Sequence, residues 1–224
     1  FVEIYRQFVS IIYFPLIFCC FSSNKMLKLN STNKKRGGAI MTRLTICMYG
    51  AASDRINSIY INAAEALGKE IAKRHHKLIY GGGASGLMGA CANGVLENGG
   101  EVTGVVPTFM NKFEPIKSEC TEIVRTETMS LRKEVMEENA DAFVIAPGGI
   151  GTFDEFFQIL TLTELGRSAK PIIVYNISGF YDDTIAIIDK LIGMGFIRES
   201  VKSLFSVCET PEEVLNAVEW LTSQ

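Results

Sequence analysis

Histidine is almost absent: the 224 residues hold two, and they are neighbours, His75 and His76. Adjacent side chains leave a helix on different faces, so the pair is a poor metal clamp and reads as a solvated helix end. The six cysteines (Cys19, Cys20, Cys47, Cys91, Cys120 and Cys208) contain no C-x-x-C pair and no zinc spacing with histidine. A metal centre is therefore not expected. Cys47 lies in an apolar strand pattern and Cys91 in a helix pattern, which points to buried free thiols and a reducing, cytoplasmic setting. No long Lys/Arg run occurs beyond Lys34-Lys35-Arg36, and the net charge of −3 gives no general attraction to nucleic acid or acidic membranes. The longest apolar run, residues 8–21, is broken by Pro15 and falls short of the about 20 residues needed to cross a bilayer.

What is present is a chain long enough for one substantial domain, 47% hydrophobic, preceded by a segment that does not fit it. From Leu44 onward, apolar strand-like runs alternate with helix-period segments, with no internal repeat. Strands are expected at 44–49, 77–80, 101–106, 121–125, 142–146, 171–175 and 203–207. Helices are expected at 54–74, 85–97, 131–139, from the glycine turn after 146 to 165, at 181–194 and at 211–221. Alternation of this kind predicts an α/β fold, a single Rossmann-like, doubly wound parallel sheet with helices on both faces. The domain is expected at 41–224 and a non-domain extension at 1–40. Arg36-Gly37-Gly38 can be encoded by a purine-rich tract resembling a bacterial ribosome-binding site just ahead of Met41. That suggests Met41 as the natural start and 1–40 as translated upstream sequence. A signal or anchor is the other reading, although Glu3 sits in the leader and no small-x-small cleavage site follows cleanly.

The most informative stretch is Pro147-Gly148-Gly149-Ile150-Gly151-Thr152-Phe153-Asp154-Glu155. It follows one apolar run and precedes an amphipathic one, so a strand turns through glycines into a helix. Glycines allow close backbone approach and positive φ, and a helix start offers free N–H groups to a phosphate. Thr152-x-x-Glu155 also fits a purely structural capping box. Gly81-x-Gly83-x-x-Gly86 formally matches a dinucleotide fingerprint, but the next strand ends in Pro107-Thr108 and its acid, Glu101, is at the wrong end. The loop reads instead as the lining of a mononucleotide pocket. Lys133 has Glu137 four residues on as an exposed partner. Arg132 has only Val135 and Met136 at that spacing and sits at a helix start, where the dipole disfavours cations. It needs an anion from elsewhere, a substrate phosphate or the Glu155 carboxylate. Asp154 and Glu155 point about 100° apart and do not share a task.

The glycine motif, together with Met129-Ser130-Leu131-Arg132-Lys133, resembles the LONELY GUY family of cytokinin-activating phosphoribohydrolases, often labelled lysine decarboxylases. The resemblance continues through Tyr80-Gly81-Gly82-Gly83-Ala84-Ser85-Gly86-Leu87-Met88-Gly89, Glu164-Leu165-Gly166, Lys170-Pro171, Asn176-Ile177-Ser178-Gly179-Phe180-Tyr181 and Gly195-Phe196-Ile197. It covers residues 41 to 224. It implies hydrolysis of the N-glycosidic bond of cytokinin riboside 5′-monophosphates, and of AMP, to free base and ribose 5-phosphate. It makes Glu155 and Arg132 catalytic, with Gly148, Gly149, Gly151, Thr152, Lys133, Met129, Asp154, Ser53 and Gly83 as substrate-binding residues. Asp154 would contact sugar hydroxyls or solvent. It implies no metal or redox cofactor, a purine nucleoside 5′-monophosphate as partner rather than nucleic acid or membrane, and a homodimer formed through helix 156–165 and the helix after it. The first loop departs from the family: Gly50-Ala51-Ala52-Ser53 has one hydroxyl fewer than the usual turn. A molybdenum-cofactor or nucleotide carrier of the same fold could keep the glycine loops, but would not need the Arg132/Glu155 pair. A decarboxylase would use a pyridoxal-phosphate Schiff-base lysine, and no lysine is marked for that role.

Overall fold

The computed structural model describes residues 42–112 and 115–224. The expectations about residues 1–40 and the start at Met41 lie outside the described residues. Seven strands form one wholly parallel sheet: β1 (Thr45–Tyr49), β2 (Lys77–Tyr80), β3 (Glu101–Pro107), β4 (Glu122–Thr126), β5 (Ala142–Ile145), β6 (Ile172–Tyr175) and β7 (Ser206–Cys208). Their order in space is β4-β3-β2-β1-β5-β6-β7. Helices α1 (Ser58–Lys73), α2 (Gly86–Glu97), α3 (Met129–Asn139), α4 (Ile150–Glu164), α5 (Asp182–Gly193) and α6 (Pro211–Thr222) complete the doubly wound arrangement.

The two faces of the sheet follow from strand periodicity. On β1, Ile46 and Met48 face a core that takes Leu67 and Ile71 of α1, Leu87 and Val95 of α2, and Val214 and Val218 of α6. Cys47 and Tyr49 face the other core, with Met136 of α3, Phe156 and Ile159 of α4, and Ile188 of α5. All four residues of β5 are buried, as expected for a central strand covered on both sides. Cys47, Cys91 and Cys208 are buried free thiols, and Cys120 is a partly buried one. Among the described residues, no helix is long and apolar enough to cross a membrane.

Several boundaries differ from the sequence expectation. Helix α1 begins at Ser58 instead of 54, because Asn57 serves as its cap and accepts from the Ile59 N–H at 3.0 Å. The last strand is Ser206–Cys208 because Glu199–Ser203 forms a 3₁₀ turn before it. The histidine pair is a larger correction. His75 closes α1 in a left-handed conformation, φ 62°, while His76 is only 1% exposed. The Leu44 N–H donates to His76 Nδ1 at 3.2 Å, so the ring proton must lie on Nε2, which faces Glu219 Oε1 at 3.1 Å. Arg74 also reaches Glu219, at 3.1 Å. The end of α1 is thus tied to α6 and to Leu44, the residue before β1, and His76 is a buried connector.

Candidate active site

The chain steps outward from β1 to β4, returns to the centre at β5, and steps outward again to β7. Winding reverses between β1 and β5, so the loops following these neighbouring strands open a cleft at their carboxyl ends. The β1 loop is held there by two hydrogen bonds. The Ala51 N–H donates to the Pro147 carbonyl at 3.0 Å, and the Ala51 carbonyl accepts from the Met88 N–H at 3.3 Å.

Helix α4 starts inside the glycine motif, one turn earlier than a Thr152 cap would place it. Gly149 is its cap residue and supplies no side-chain hydrogen bond. Thr152 is therefore the third helical residue and Glu155 the sixth, which removes the capping-box reading. Helices α1, α3 and α6 are capped by Asn57, Thr128 and Thr210, whereas α2, α4 and α5 have no side-chain cap, and of these α2 and α4 begin at the cleft. The first N–H groups of α4 remain available to an anion. The reason for the glycines also differs from the expectation, since none of Gly148, Gly149 and Gly151 has a positive φ. A Cβ on Gly148 would lie 2.1 Å from Thr152 Oγ1, so packing of the buried Thr152 requires glycine there. At Gly149 and Gly151 an added Cβ would meet nothing within 4 Å. Those two positions leave open space over the helix start.

Arg132 and Glu155 meet below this opening. Arg132 Nη1 donates to Glu155 Oε1 at 3.2 Å, and Nε donates to the Val105 carbonyl of β3 at 3.2 Å. Each side chain is 9% exposed. The Thr128 hydroxyl accepts from the Leu131 N–H at 3.1 Å and sets the α3 start that aims Arg132 inward. Gly81, at the end of β2, makes room for the guanidinium: a Cβ there would lie 1.9 Å from Arg132 Nη2. Sequence reasoning named Gly83 and missed Gly81, because nothing in the sequence links the end of β2 to α3. Burial pushes the Glu155 carboxyl up to about 7, with Arg132 opposing the rise. A carboxylate poised near neutrality beside a fixed cation can exchange protons with water and stabilise cationic charge.

The remaining residues divide. Lys133 does not pair with Glu137; its Nζ reaches Asp154 Oδ2 at 3.0 Å, a second bridge between α3 and α4. Glu137 instead accepts from Gln158. Asp154, expected to face sugar or solvent, is thus exposed but paired with Lys133. Met129, the first residue of α3, is 40% exposed. The Ser53 hydroxyl turns to its own loop and accepts from the Arg55 N–H at 3.2 Å. Gly83 is buried; its carbonyl accepts from the Tyr80 hydroxyl at 3.2 Å, and it bridges to Ile116. The structure therefore gathers Arg132, Glu155, Lys133, Asp154 and the Gly148–Thr152 turn, and leaves Ser53 and Gly83 engaged elsewhere. A separate cavity of about 820 Å³, lined by Glu134, Asp141, Phe143 and Lys170 among others, lies at the amino ends of the central strands, opposite the cleft, and shares none of these residues.

The fold and site together are those of a doubly wound α/β protein with a buried arginine–carboxylate pair beside an uncapped, glycine-opened helix start. A profile described as "Possible lysine decarboxylase" matches residues 88–218. The chain is 36% identical over 185 residues to a probable cytokinin riboside 5′-monophosphate phosphoribohydrolase, LOGL9, of Oryza sativa subsp. japonica, covering 82% of each chain. It is 33% identical over 174 residues to the cytokinin riboside 5′-monophosphate phosphoribohydrolase LOG2 of Arabidopsis thaliana, covering 78% of this chain and 82% of that one. The chain belongs to this LONELY GUY (LOG) family. Its fold is shared with the molybdenum cofactor binding protein of Rippkaea orientalis (TM-score 0.63, 18% identity, 81% of this chain and 98% of that one). It is shared equally with the molybdenum cofactor carrier protein of Chlamydomonas reinhardtii (TM-score 0.63, 21% identity, 82% and 100%). At that identity the likeness concerns architecture alone.

Proposed function

We propose that this protein is a hydrolase that cleaves the N-glycosidic bond of cytokinin riboside 5′-monophosphates, and of AMP, giving free base and ribose 5-phosphate. The observation that carries the reading is the buried Arg132–Glu155 pair directly beneath the open start of α4. The N–H groups at that helix start hold the 5′-phosphate, and this fixes the ribose. Loss of the base leaves oxocarbenium-like positive charge on the sugar, as in other glycoside cleavages. Glu155, in its ionised form, stabilises that charge and takes a proton from the attacking water. Arg132 keeps Glu155 oriented and favours its ionised form. Lys133, bridged to Asp154 at the mouth, supplies a second cation to the phosphate.

The homodimer that the family resemblance implies is supported by the apolar surface of α4. The free thiols support a cytoplasmic location. The test is release of base from AMP and from isopentenyladenosine monophosphate by the full chain, with Glu155→Gln and Arg132→Ala beside it. Wild type is expected to release base, and Glu155→Gln to be slower by about 10²-fold or more. Nucleotide binding without base release by wild type would favour a carrier.

A further inference from the structure

Tyr181 lies on α5's side of the sheet and has no place in the reaction just described, yet its side chain touches the glycine turn on both flanks. Its hydroxyl donates to the Ala146 carbonyl at 2.8 Å, in the last residue before Pro147. Its ring meets Phe153, in the first turn of α4, edge to face with centroids 5.9 Å apart and planes at 74°. Tyr181 is itself only 1% exposed. Its backbone N–H donates to Asn176 Oδ1 at 2.7 Å, and Asn176 Nδ2 donates to Asp182 Oδ1 at 2.8 Å. Both bonds fix the Asn176 amide in one orientation, since one end must accept and the other must donate. Ser178 and Gly179, at φ 52° and 73°, make the tight turn that brings the ring back over β5.

The geometry points to Tyr181 as a positioning residue for the phosphate-binding turn. A peptide unit is planar, so fixing a carbonyl fixes the N–H of the following residue on its opposite side. Tyr181 holds the Ala146–Pro147 plane, and the Ala51 N–H holds the Pro147–Gly148 plane through the Pro147 carbonyl. The Ala51 contact sets the direction of the Gly148 N–H. Tyr181, holding the preceding plane, which carries no N–H because residue 147 is proline, fixes where the turn leaves β5 and so the point at which α4 begins. Both Tyr181 contacts lie at the turn and the start of α4, the part the reading above assigns to the phosphate. Loss of the Tyr181 hydroxyl therefore weakens grip on the phosphate in particular, and leaves a fully buried carbonyl without its partner. The proposal rests on the phosphate-cradle reading above.

The experiment is calorimetric titration of the full chain with ribose 5-phosphate and with adenosine, for wild type, Tyr181→Phe and Tyr175→Phe. Tyr175 is the control: its hydroxyl also donates to a backbone carbonyl, that of Ala63 at 3.4 Å, but on the other face of the sheet. Tyr181→Phe is expected to bind ribose 5-phosphate roughly three- to tenfold more weakly, the scale of one neutral hydrogen bond, and adenosine as wild type does. In turnover, KM for AMP rises by the same factor and kcat stays within about twofold. Tyr175→Phe changes neither ligand. Unchanged ribose 5-phosphate affinity in Tyr181→Phe, or equal weakening of both ligands, overturns the proposal. Failure of the nucleotide reading looks different: wild type then binds neither ligand, and the proposal falls with it.

Discussion

Glu155 must be ionised to oppose charge on a ribose, yet its burial favours the neutral form and places the carboxyl at about 7. Base release is therefore expected to have an acid limb near pH 7, with log kcat/KM falling at unit slope below it. Removing the opposing cation raises the carboxyl further, so the limb of residual activity in Arg132→Ala moves to higher pH. A pH–rate profile of the two proteins checks both statements, and a flat profile across neutrality refutes the role given to Glu155. Stability carries the opposite sense. A carboxyl whose folded pKa lies above its unfolded value binds protons more tightly when folded. Its contribution is complete below about 4.5 and is lost as pH rises through about 7. Thermal melts should accordingly show wild type losing stability relative to Glu155→Gln as pH rises through neutrality. Gly81→Ala tests the seat of Arg132. The clashing atom, Nη2, is the far end of a flexible side chain, so the guanidinium, rather than the backbone, is displaced, and it leaves its buried partners Glu155 and the Val105 carbonyl. Activity should drop as in Arg132→Ala, and the melting temperature should fall no further than it does in Arg132→Ala. Glu155 and Arg132 were legible because an arginine without a local partner and a carboxylate behind a glycine turn are both anomalies in sequence. Gly81 was not, because its constraint comes from a side chain fifty-one residues away across two strands.

Helices α1 and α2 cross with almost no space between their backbones. A Cβ on Gly68 would lie 2.1 Å from the Cys91 carbonyl oxygen, and one on Gly94 would lie 2.2 Å from the Glu65 carbonyl oxygen. Backbone atoms cannot swing aside, so Gly68→Ala must push the helices apart within a close-packed core. The expected cost is about 2 kcal/mol or more, which for a domain of this size lowers the melting temperature by roughly 4–8 °C. Scanning calorimetry measures it, and a midpoint within a degree of wild type would show that the crossing can relax. Periodicity revealed the strands and helices because each face of the sheet is apolar in its own register. It did not reveal where helices start. Asn57 moved α1 inward by capping it, and Gly149 moved α4 outward by leaving its start open. The capping-box pattern at Thr152 and Glu155 failed for that reason: the side chains were already inside the helix, aimed at Gly148 and Arg132. His76 misled similarly, since a polar residue beside a helix end looks solvated until α6, which packs there from the far end of the sequence, supplies Glu219.

At the scale of the whole molecule, the alternation of elements was enough to predict a doubly wound sheet, and strand order then put the site at the β1/β5 reversal. What covers the outer surface of α4 is a further question, because that surface is too apolar to be an ordinary solvated face. Ile150 is 87% exposed, Phe157 43% and Leu165 67%, and the Phe153 and Phe157 rings stack on each other 6.3 Å apart. Residues 150, 153 and 157 share one side of the helix, and Asp154, bridged to Lys133, lies within the same turns. A second copy seated on this side would bury the apolar residues and border the cleft at once, which ties assembly to activity. The full chain should therefore sediment at twice its own mass at micromolar concentration. Phe157→Glu places a charge in the centre of the contact and is expected to shift the protein to monomer with its circular dichroism unchanged. Base release should weaken in that variant as the open start of α4 loses its neighbour. Wild type sedimenting as a monomer, or Phe157→Glu remaining dimeric, would move the contact to another surface, such as the one carrying Ile187, Met194 and Phe196.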